Sequence, residues 1–369
     1  MKIGILGAGQ LGRMMALAGI PLEHEFYFYG NPASAPAAVA GQVFDEKDPS
    51  ALDAFIKASD VISYESENIN AELVQNIELK KPVFPSVKSL RFSQHRLTEK
   101  NLFRELNIPV ADFYKVESLE ELKGAIAQLG LPIVLKTTTM GYDGKGQAVI
   151  KTAADIGPAW QQLKGNQLIA EAFVNFQREL SIIAARNAKG EHVFYPLAEN
   201  SHRDGILRLT QVPAPGVSQQ LQQLAEQHIC SLLDQLDHVG ILTLELFDTG
   251  LEGDQALIAN EMAPRVHNSG HWSQQGAETC QFENHIRAIS GLPLGATNCR
   301  HPLAAMINII GKKGDKNLVL SEPAAHLHLY GKSERANRKL GHINLVADDA
   351  THMQQLISKF DGFMQECGE

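Results

Sequence analysis

ILTLELF, Ile241–Phe247, and ALIANEMAPRVHNSGH, Ala256–His271, are the stretches whose reading decides the fold of this chain. Each begins as a short apolar run of strand length, and the turn Gly250-Leu251-Glu252-Gly253 between them is tight enough to pair them. Each run carries an acid, Glu245 in the first and Glu261 in the second. A buried carboxylate is costly unless a cation or a metal ion faces it. Two acids on neighbouring strands, with Asn260 beside one of them, form an oxygen-rich cage suited to magnesium and to phosphates bound with it. A salt bridge from these acids to Arg or Lys is the other reading. Arg265, His267, Asn268 and His271 follow directly. An arginine can grip a planar anion through two parallel bonds. His267 and His271 have the spacing of a helical zinc pair. Pro264 and Gly270 argue against a helix there, and no acid stands in the zincin arrangement, so zinc is disfavoured.

Upstream, Ile133–Lys136 is an apolar strand ending in a lysine, followed by Gly141-Tyr142-Asp143-Gly144-Lys145-Gly146-Gln147. A glycine-rich loop carrying a cation suits a flap over nucleotide phosphates, with Lys136 as a point charge. A surface hairpin with solvated lysines is the alternative. In Gln167–Val174 a strand enters a linker that can offer backbone groups to an adenine edge, lined by Glu171, Phe173 and Val174. Glu179 can accept from ribose hydroxyls. Each of these, taken singly, also fits a core strand with one exposed acid. At the amino terminus Gly7-x-Gly9-x-x-Gly12 follows a strand and opens a helix, which offers N–H groups to an anion. A dinucleotide site needs an acid at the end of the second strand. Here that strand runs into Gly30-Asn31-Pro32, so nicotinamide or flavin is disfavoured. Another ligand's phosphate, or close strand–helix packing, remains.

The composition limits the classes further. The 369 residues carry 33 basic and 42 acidic side chains, a formal charge of −9, which argues against a general nucleic-acid surface. No apolar run approaches the roughly 20 residues of a membrane helix. Cys230, Cys280, Cys299 and Cys367 have no paired spacing, so the thiols are expected to be reduced, as in a cytoplasmic enzyme. Strands and helices alternate over residues 1–95, which predicts a parallel sheet, ending in a short strand at Val83-Phe84. One helix is expected from near Ser89 past Arg96 and Lys100 to Leu106. Another is expected over Leu119–Leu129, with Ser118 and Glu121 at capping-box spacing. Antiparallel strands are expected from Ile133 to Ala184, a long helix over Val217–Leu236, and further strands from Ala304 before a last helix near Met353–Phe360.

Taken together, these motifs resemble the ATP-grasp superfamily. Within it, the chain is similar over essentially its whole length to the family of ATP-dependent N5-carboxyaminoimidazole ribonucleotide synthases, the ATPase subunits of phosphoribosylaminoimidazole carboxylase. The resemblance rests on Gly7–Gly12, Tyr64-Glu65-x-Glu67-Asn68, Arg96–Lys100, the Gly141–Gln147 loop, Asn260–His271, Tyr330-Gly331-Lys332 and Arg338-Lys339-x-Gly341-His342. The chain departs from the pattern at Ala336-Asn337, where the family often has Pro-Gly.

The resemblance implies a mixed α/β and α+β architecture. An amino-terminal Rossmann-like preATP-grasp domain (1–95) precedes an ATP-grasp domain (96–296) with a lid at about 110–180, and a small carboxy-terminal domain (297–369) follows. It implies that ATP phosphorylates bicarbonate, and that the carboxyphosphate or its carbon dioxide is captured by 5-aminoimidazole ribonucleotide. By match, Arg96, Lys136 and Gly141, Tyr142, Asp143, Gly144, Lys145, Gly146 and Gln147 would hold phosphates. Glu171, Ala172, Phe173, Val174 and Glu179 would hold adenine and ribose, with His202 as a further ATP contact that otherwise reads as a surface histidine. Glu245 and Glu261 would bind magnesium, Asn260 and Glu261 would face ATP, and Arg265, His267 and Asn268 would position bicarbonate and carboxyphosphate. Glu67, Tyr142, Asp143, Lys332 and Arg338 would contact the ribonucleotide. A homodimer is implied as well, with no nucleic-acid or membrane partner. A formate-using glycinamide ribonucleotide transformylase would share the ATP half and differ in its acceptor.

Overall fold

Short apolar strands separated by helices with one buried face build the first layer. The structure, a computed structural model, describes residues 1–141 and 146–364. In the amino-terminal unit β1 (Lys2–Leu6), α1 (Gln10–Gly19), β2 (Glu25–Gly30), β3 (Gln42–Asp45), α2 (Ala51–Ala58), β4 (Val61–Tyr64) and α3 (Ala71–Glu78) follow in turn. The strands form a parallel sheet of order β3-β2-β1-β4. Ile3, Ile5, Phe28, Ile62 and Tyr64 are fully buried between its helices. The four-residue β3 has no clean alternation and escapes a sequence reading. Val83, expected in a strand, makes only an isolated bridge to Ile62.

The helix expected from Ser89 to Leu106 is two helices, α4 (Val87–Gln94) and α5 (Arg96–Glu105). His95 between them is extended, at φ −130° and ψ 109°. The break has a tertiary cause, since the N–H of Arg96 leaves the helical ladder and donates to Thr138 O at 2.8 Å. That bond ties the start of α5 to the lid.

The segment expected to form the lid consists of β5 (Phe113–Val116), α6 (Leu119–Leu129), β6 (Ile133–Thr137), β7 (Gln147–Ile150), α7 (Ile156–Leu163) and β8 (Leu168–Ala172). Its antiparallel sheet has the order β5-β8-β6-β7. Ser118 caps α6 by accepting from the Glu121 N–H, while the Glu121 carboxylate reaches back to the Glu117 N–H. The helix α7 interrupts a segment expected to be strands alone.

A nine-stranded antiparallel sheet follows. It contains β9 (Arg178–Arg186), β10 (His192–Phe194), β11 (Ala198–Arg203), β12 (Ile206–Val212), β13 (Gly240–Asp248), β14 (Leu257–Ala263), β15 (Leu303–Ile310), β16 (Ala325–Leu329) and β17 (Lys339–Ala347). Its main path is β14-β13-β9-β11-β12-β15-β17-β16, so the carboxy-terminal strands continue the central sheet. The helices α8 (Gln219–Gln235), α9 (Ser273–Gly276), α10 (Gln281–Ser290), α11 (Lys316–Leu320) and α12 (Ala350–Lys359) are the remaining described α-helices. Cys230, Cys280 and Cys299 are free thiols, and Cys367 lies outside the described residues.

Two buried histidines close the seam between the amino-terminal unit and the central sheet. His238 Nε2 bonds the Ile241 carbonyl at 2.9 Å and its Nδ1 faces Ser89 Oγ at 3.0 Å. His285 Nδ1 accepts from the Ile241 N–H at 3.1 Å and its Nε2 faces Ser63 Oγ at 2.9 Å. A second proton on His285 would set one N–H against another. Burial lowers His238 to about 4, and burial with neighbouring His238 lowers His285 to about 3. Above the ordinary histidine pKa of about 6.5 neither state binds the proton. Below it the unfolded chain does and the folded chain does not, so stability falls with pH by about 1.4 kcal/mol per unit for each ring. The loss runs from about pH 6.5 down to about pH 4 for His238 and about pH 3 for His285. The urea midpoint is therefore expected to drop between pH 7 and pH 5, and an unchanged midpoint would show that these rings do not stay neutral.

Candidate active site

A cleft of about 760 Å³ lies where the three parts meet. The turn after β4 contributes Glu65 and Glu67 to its wall, and α5 contributes Arg96 and Glu99. The lid adds Lys136, Gly141 and Gln147, and the central sheet adds Glu179, His202, Glu245, Asn260 and Glu261. Arg265, His267, Asn268 and Tyr330 also line it. Glu245 and Glu261 are register partners in the β13–β14 ladder. Directly opposed residues of an antiparallel pair project from the same face.

Glu261 carries a salt bridge to arginine, whereas the partner of Glu245 is a histidine. Glu261 Oε2 meets Arg96 Nη1 at 2.7 Å, and Glu245 Oε1 meets His267 Nε2 at 3.0 Å. Burial alone would raise Glu245, but the bond and charge of His267, with His202 and Lys339, bring it down to about 2. Each pair uses one oxygen of its carboxylate. Two opposed carboxylates with Asn260 alongside are a hard-oxygen donor set, which fits magnesium with the remaining positions left to phosphate and water. Behind them Glu99 Oε1 accepts from the Met262 N–H at 2.7 Å, fixing α5 to the end of β14. Burial, with Glu261 nearby, pushes the Glu99 carboxyl up to about 8.

Glu171 lies at the end of β8, behind the cleft wall. Read as part of the adenine slot, its carboxylate is buried away from the cleft lining. Its Oε2 holds two cations, Lys136 at 2.9 Å and Lys100 at 3.4 Å. Burial would raise this carboxyl, but Lys100 and Lys136 outweigh it and hold it at about 2. Ala172 spends its N–H on Asp112 O. Phe173 lines the cleft, while Val174 next to it is half-buried. Beside it Phe176 stacks on Phe247 with ring centroids 4.6 Å apart, a pair not among the expected site residues. Phe247 stands two residues after Glu245, so the strand period already places it on the same face.

Gly146, at φ +70°, ends the flap where its carbonyl receives the Thr137 N–H. Tyr142, Asp143, Gly144 and Lys145 lie outside the described residues. Glu179 Oε2 meets His202 Nδ1 at 2.6 Å. Burial would lower His202, but the bond and charge of Glu179 raise it.

Arg265 forks onto Glu67 through Nε to Oε2 and through Nη2 to Oε1 at 2.8 Å, and its Nη1 reaches the Val266 carbonyl. Asn268 exchanges amide bonds with Asn308 at 2.7 and 3.0 Å. Lys332 and Arg338 fall outside the lining of this cleft, on the loop that follows Tyr330. Burial and Arg338 lower Lys332 to about 8. Arg338 Nη1 donates to Ser333 O and Oγ. Asn337, one of the two residues at which the chain departs from the expected pattern, takes φ +59° and the turn closes with Arg338 N–H on Arg335 O. Asparagine tolerates that left-handed conformation, so the loop keeps its turn.

Residues 1–94 match the ribonucleotide synthetase preATP-grasp domain, 101–282 the ATP-grasp domain, and 304–356 the phosphoribosylaminoimidazole carboxylase C-terminal domain. The chain is 43% identical over 367 residues to an N5-carboxyaminoimidazole ribonucleotide synthase of Pseudomonas aeruginosa, covering 99% of this chain and 100% of that one. Among solved structures it resembles the N5-carboxyaminoimidazole ribonucleotide synthetase from Thermus thermophilus (TM-score 0.92, 43% identity, 100% and 99% of the two chains). It also resembles the Aspergillus clavatus N5-carboxyaminoimidazole synthase in complex with ADP and 5-aminoimidazole ribonucleotide (TM-score 0.87, 30% identity, 98% of each).

Proposed function

The chain belongs to the family of N5-carboxyaminoimidazole ribonucleotide synthases, three-domain ATP-grasp ligases, and from that premise we propose how its cleft works. It is an ATP-dependent ligase of purine biosynthesis that forms a C–N bond. In our reading ATP phosphorylates bicarbonate, and the exocyclic amine of 5-aminoimidazole ribonucleotide takes up the carboxyl group, releasing ADP and phosphate. The observation that carries this reading is the opposed pair Glu245 and Glu261 with Arg265 and His267 on the same cleft.

Phosphoryl transfer needs positioning and cations more than covalent help. Arg96 and Lys136 hold the phosphates, and the Gly141–Gln147 flap covers them. The Phe176–Phe247 stack and Phe173 give adenine an apolar wall, and Glu179, aligned by His202, accepts from ribose. Magnesium, held by Glu245 and Glu261, would supply charge neutralisation between ATP and bicarbonate. Arg265, with Glu67 behind its guanidinium, grips bicarbonate and then carboxyphosphate, while His267 and Asn268 orient it. Carboxyphosphate is labile to water, so the flap must close over it. Glu67, Tyr142 and Asp143 contact the ribonucleotide, and Lys332 and Arg338 take its phosphate. We carry the 1–95, 96–296 and 297–369 division, a homodimer and a cytoplasmic location as parts of the same reading; no helix among the described residues is long and apolar enough to cross a membrane.

A product assay with ATP, bicarbonate and aminoimidazole ribonucleotide, omitting each in turn, tests the reading. ADP release that needs formate and glycinamide ribonucleotide instead would replace it. Arg338→Ala is expected to raise the KM for the ribonucleotide by about 10–100-fold, the value of one charged hydrogen-bond contact. Because a phosphate handle binds ground and transition states alike, kcat should stay near wild type. An unchanged KM would remove Arg338 from the site.

A further inference from the structure

The glycine fingerprint of the amino-terminal unit is already filled by the chain itself. Glu65, directly after β4, accepts the Gly9 N–H on Oε1 at 2.6 Å and the Gly12 N–H on Oε2 at 2.8 Å. A Cβ on Gly7 would lie 2.5 Å from Glu65 Cγ, and one on Gly9 would lie 2.7 Å from Oε1. A Cβ on Gly12 would come within 3.3 Å of Oε2. All three glycines are thus shaped around one carboxylate, which stands where an external phosphate stands in a dinucleotide site. Two residues further on, Glu67 forks onto Arg265 from the other side of the cleft, 198 residues away in sequence. Gln94 Nε2 clasps the Glu67 carbonyl at 2.7 Å.

We propose that Glu65 is a positioning residue: seated in the glycine loop, it fixes the turn Glu65-Ser66-Glu67 so that Glu67 presents Arg265 to bicarbonate. The loop then transmits the amino-terminal domain's packing to a reacting group it never touches. This rests on the reading of Arg265 as the bicarbonate grip.

The seat demands two acceptor oxygens. Glu65→Gln keeps the size but sets an NH2 against a backbone N–H. Gly9→Ala keeps the carboxylate and displaces it sterically. Both variants are expected to lower kcat/KM for bicarbonate by about tenfold or more, as loss of an orienting partner does, with the KM for ATP unchanged. Combined with Glu67→Gln, neither should add a further loss, since both act through the same link. A crystal structure of Glu65→Gln should show the Glu67–Arg265 fork broken or shifted. A fork left in place, or losses that multiply with Glu67→Gln, would overturn the proposal. Arg265→Gln separates the two readings: bicarbonate kinetics that ignore it would refute the grip, while the fork in the Glu65→Gln crystal still decides the positioning. If Glu65→Gln does not fold, the Gly9→Ala kinetics and crystal decide alone.

Discussion

Glu261→Gln is expected to cut turnover by about 10³-fold, at any magnesium concentration, in a protein that still folds. The size follows from the charge. A divalent ion held by Glu245 and Glu261 would supply several kcal/mol of transition-state charge stabilisation, and about 4 kcal/mol corresponds to three decades in rate. The amide keeps an oxygen, so it can still accept from Arg96 Nη1, which Glu261 now meets at 2.7 Å. What it loses is the second negative charge of the pair opposed to Glu245. Arg96 then faces a neutral partner in the free enzyme, but bound phosphate restores an anion, so ADP binding without metal should be little changed. Turnover that saturates at the wild-type rate when magnesium is raised would show that the pair is only a salt-bridge network. Glu245→Gln serves as a comparison, because His267 rather than arginine stands beside it.

That the two acids meet is legible because a strand pair and a short turn fix which residues face each other. Most helices and strands are legible for the same local reason, and α6 ends where Gly130 and Pro132 signal a stop. What local pattern does not show has a different cause. The single helix expected across His95 is broken by a bond from Arg96 to Thr138, and no local pattern encodes a partner 42 residues away. Glu171 reads as an acid at an adenine slot, and nothing local signals that its carboxylate is buried against two cations. The cations that bury it, Lys100 and Lys136, come from a helix and another strand. The glycine loop reads equally as a phosphate seat or as close strand–helix packing, and nothing local signals that Glu65 returns from the end of β4 to occupy it. Periodicity and spacing locate elements, whereas the counter-charge of a buried group is a property of the assembled fold.

Lys100→Met carries the second large effect, on stability and on ATP together. The Lys100 side chain is 1% exposed and its partner Glu171 only 5%. Removing one side of a buried pair leaves charge uncompensated, which costs about 3 kcal/mol here because Lys136 remains as a partner. The melting temperature should fall by several degrees. The kinetic consequence comes from that remaining partner. In the wild type Lys136 and Lys100 share Glu171 Oε2, so Lys136 can turn toward phosphate while Lys100 keeps the carboxylate neutralised. In Lys100→Met the carboxylate has Lys136 alone, and nucleotide must compete for it. The KM for ATP is therefore expected to rise about tenfold, equivalent to about 1.4 kcal/mol. The double variant Lys100→Met, Glu171→Gln removes the uncompensated acid and should recover most of the lost stability, as replacing a whole buried pair usually does. It should also free Lys136 and bring the KM back toward wild type. A double variant less stable than the single would mean that Glu171 is needed for packing, and that Lys100 does not act through its charge.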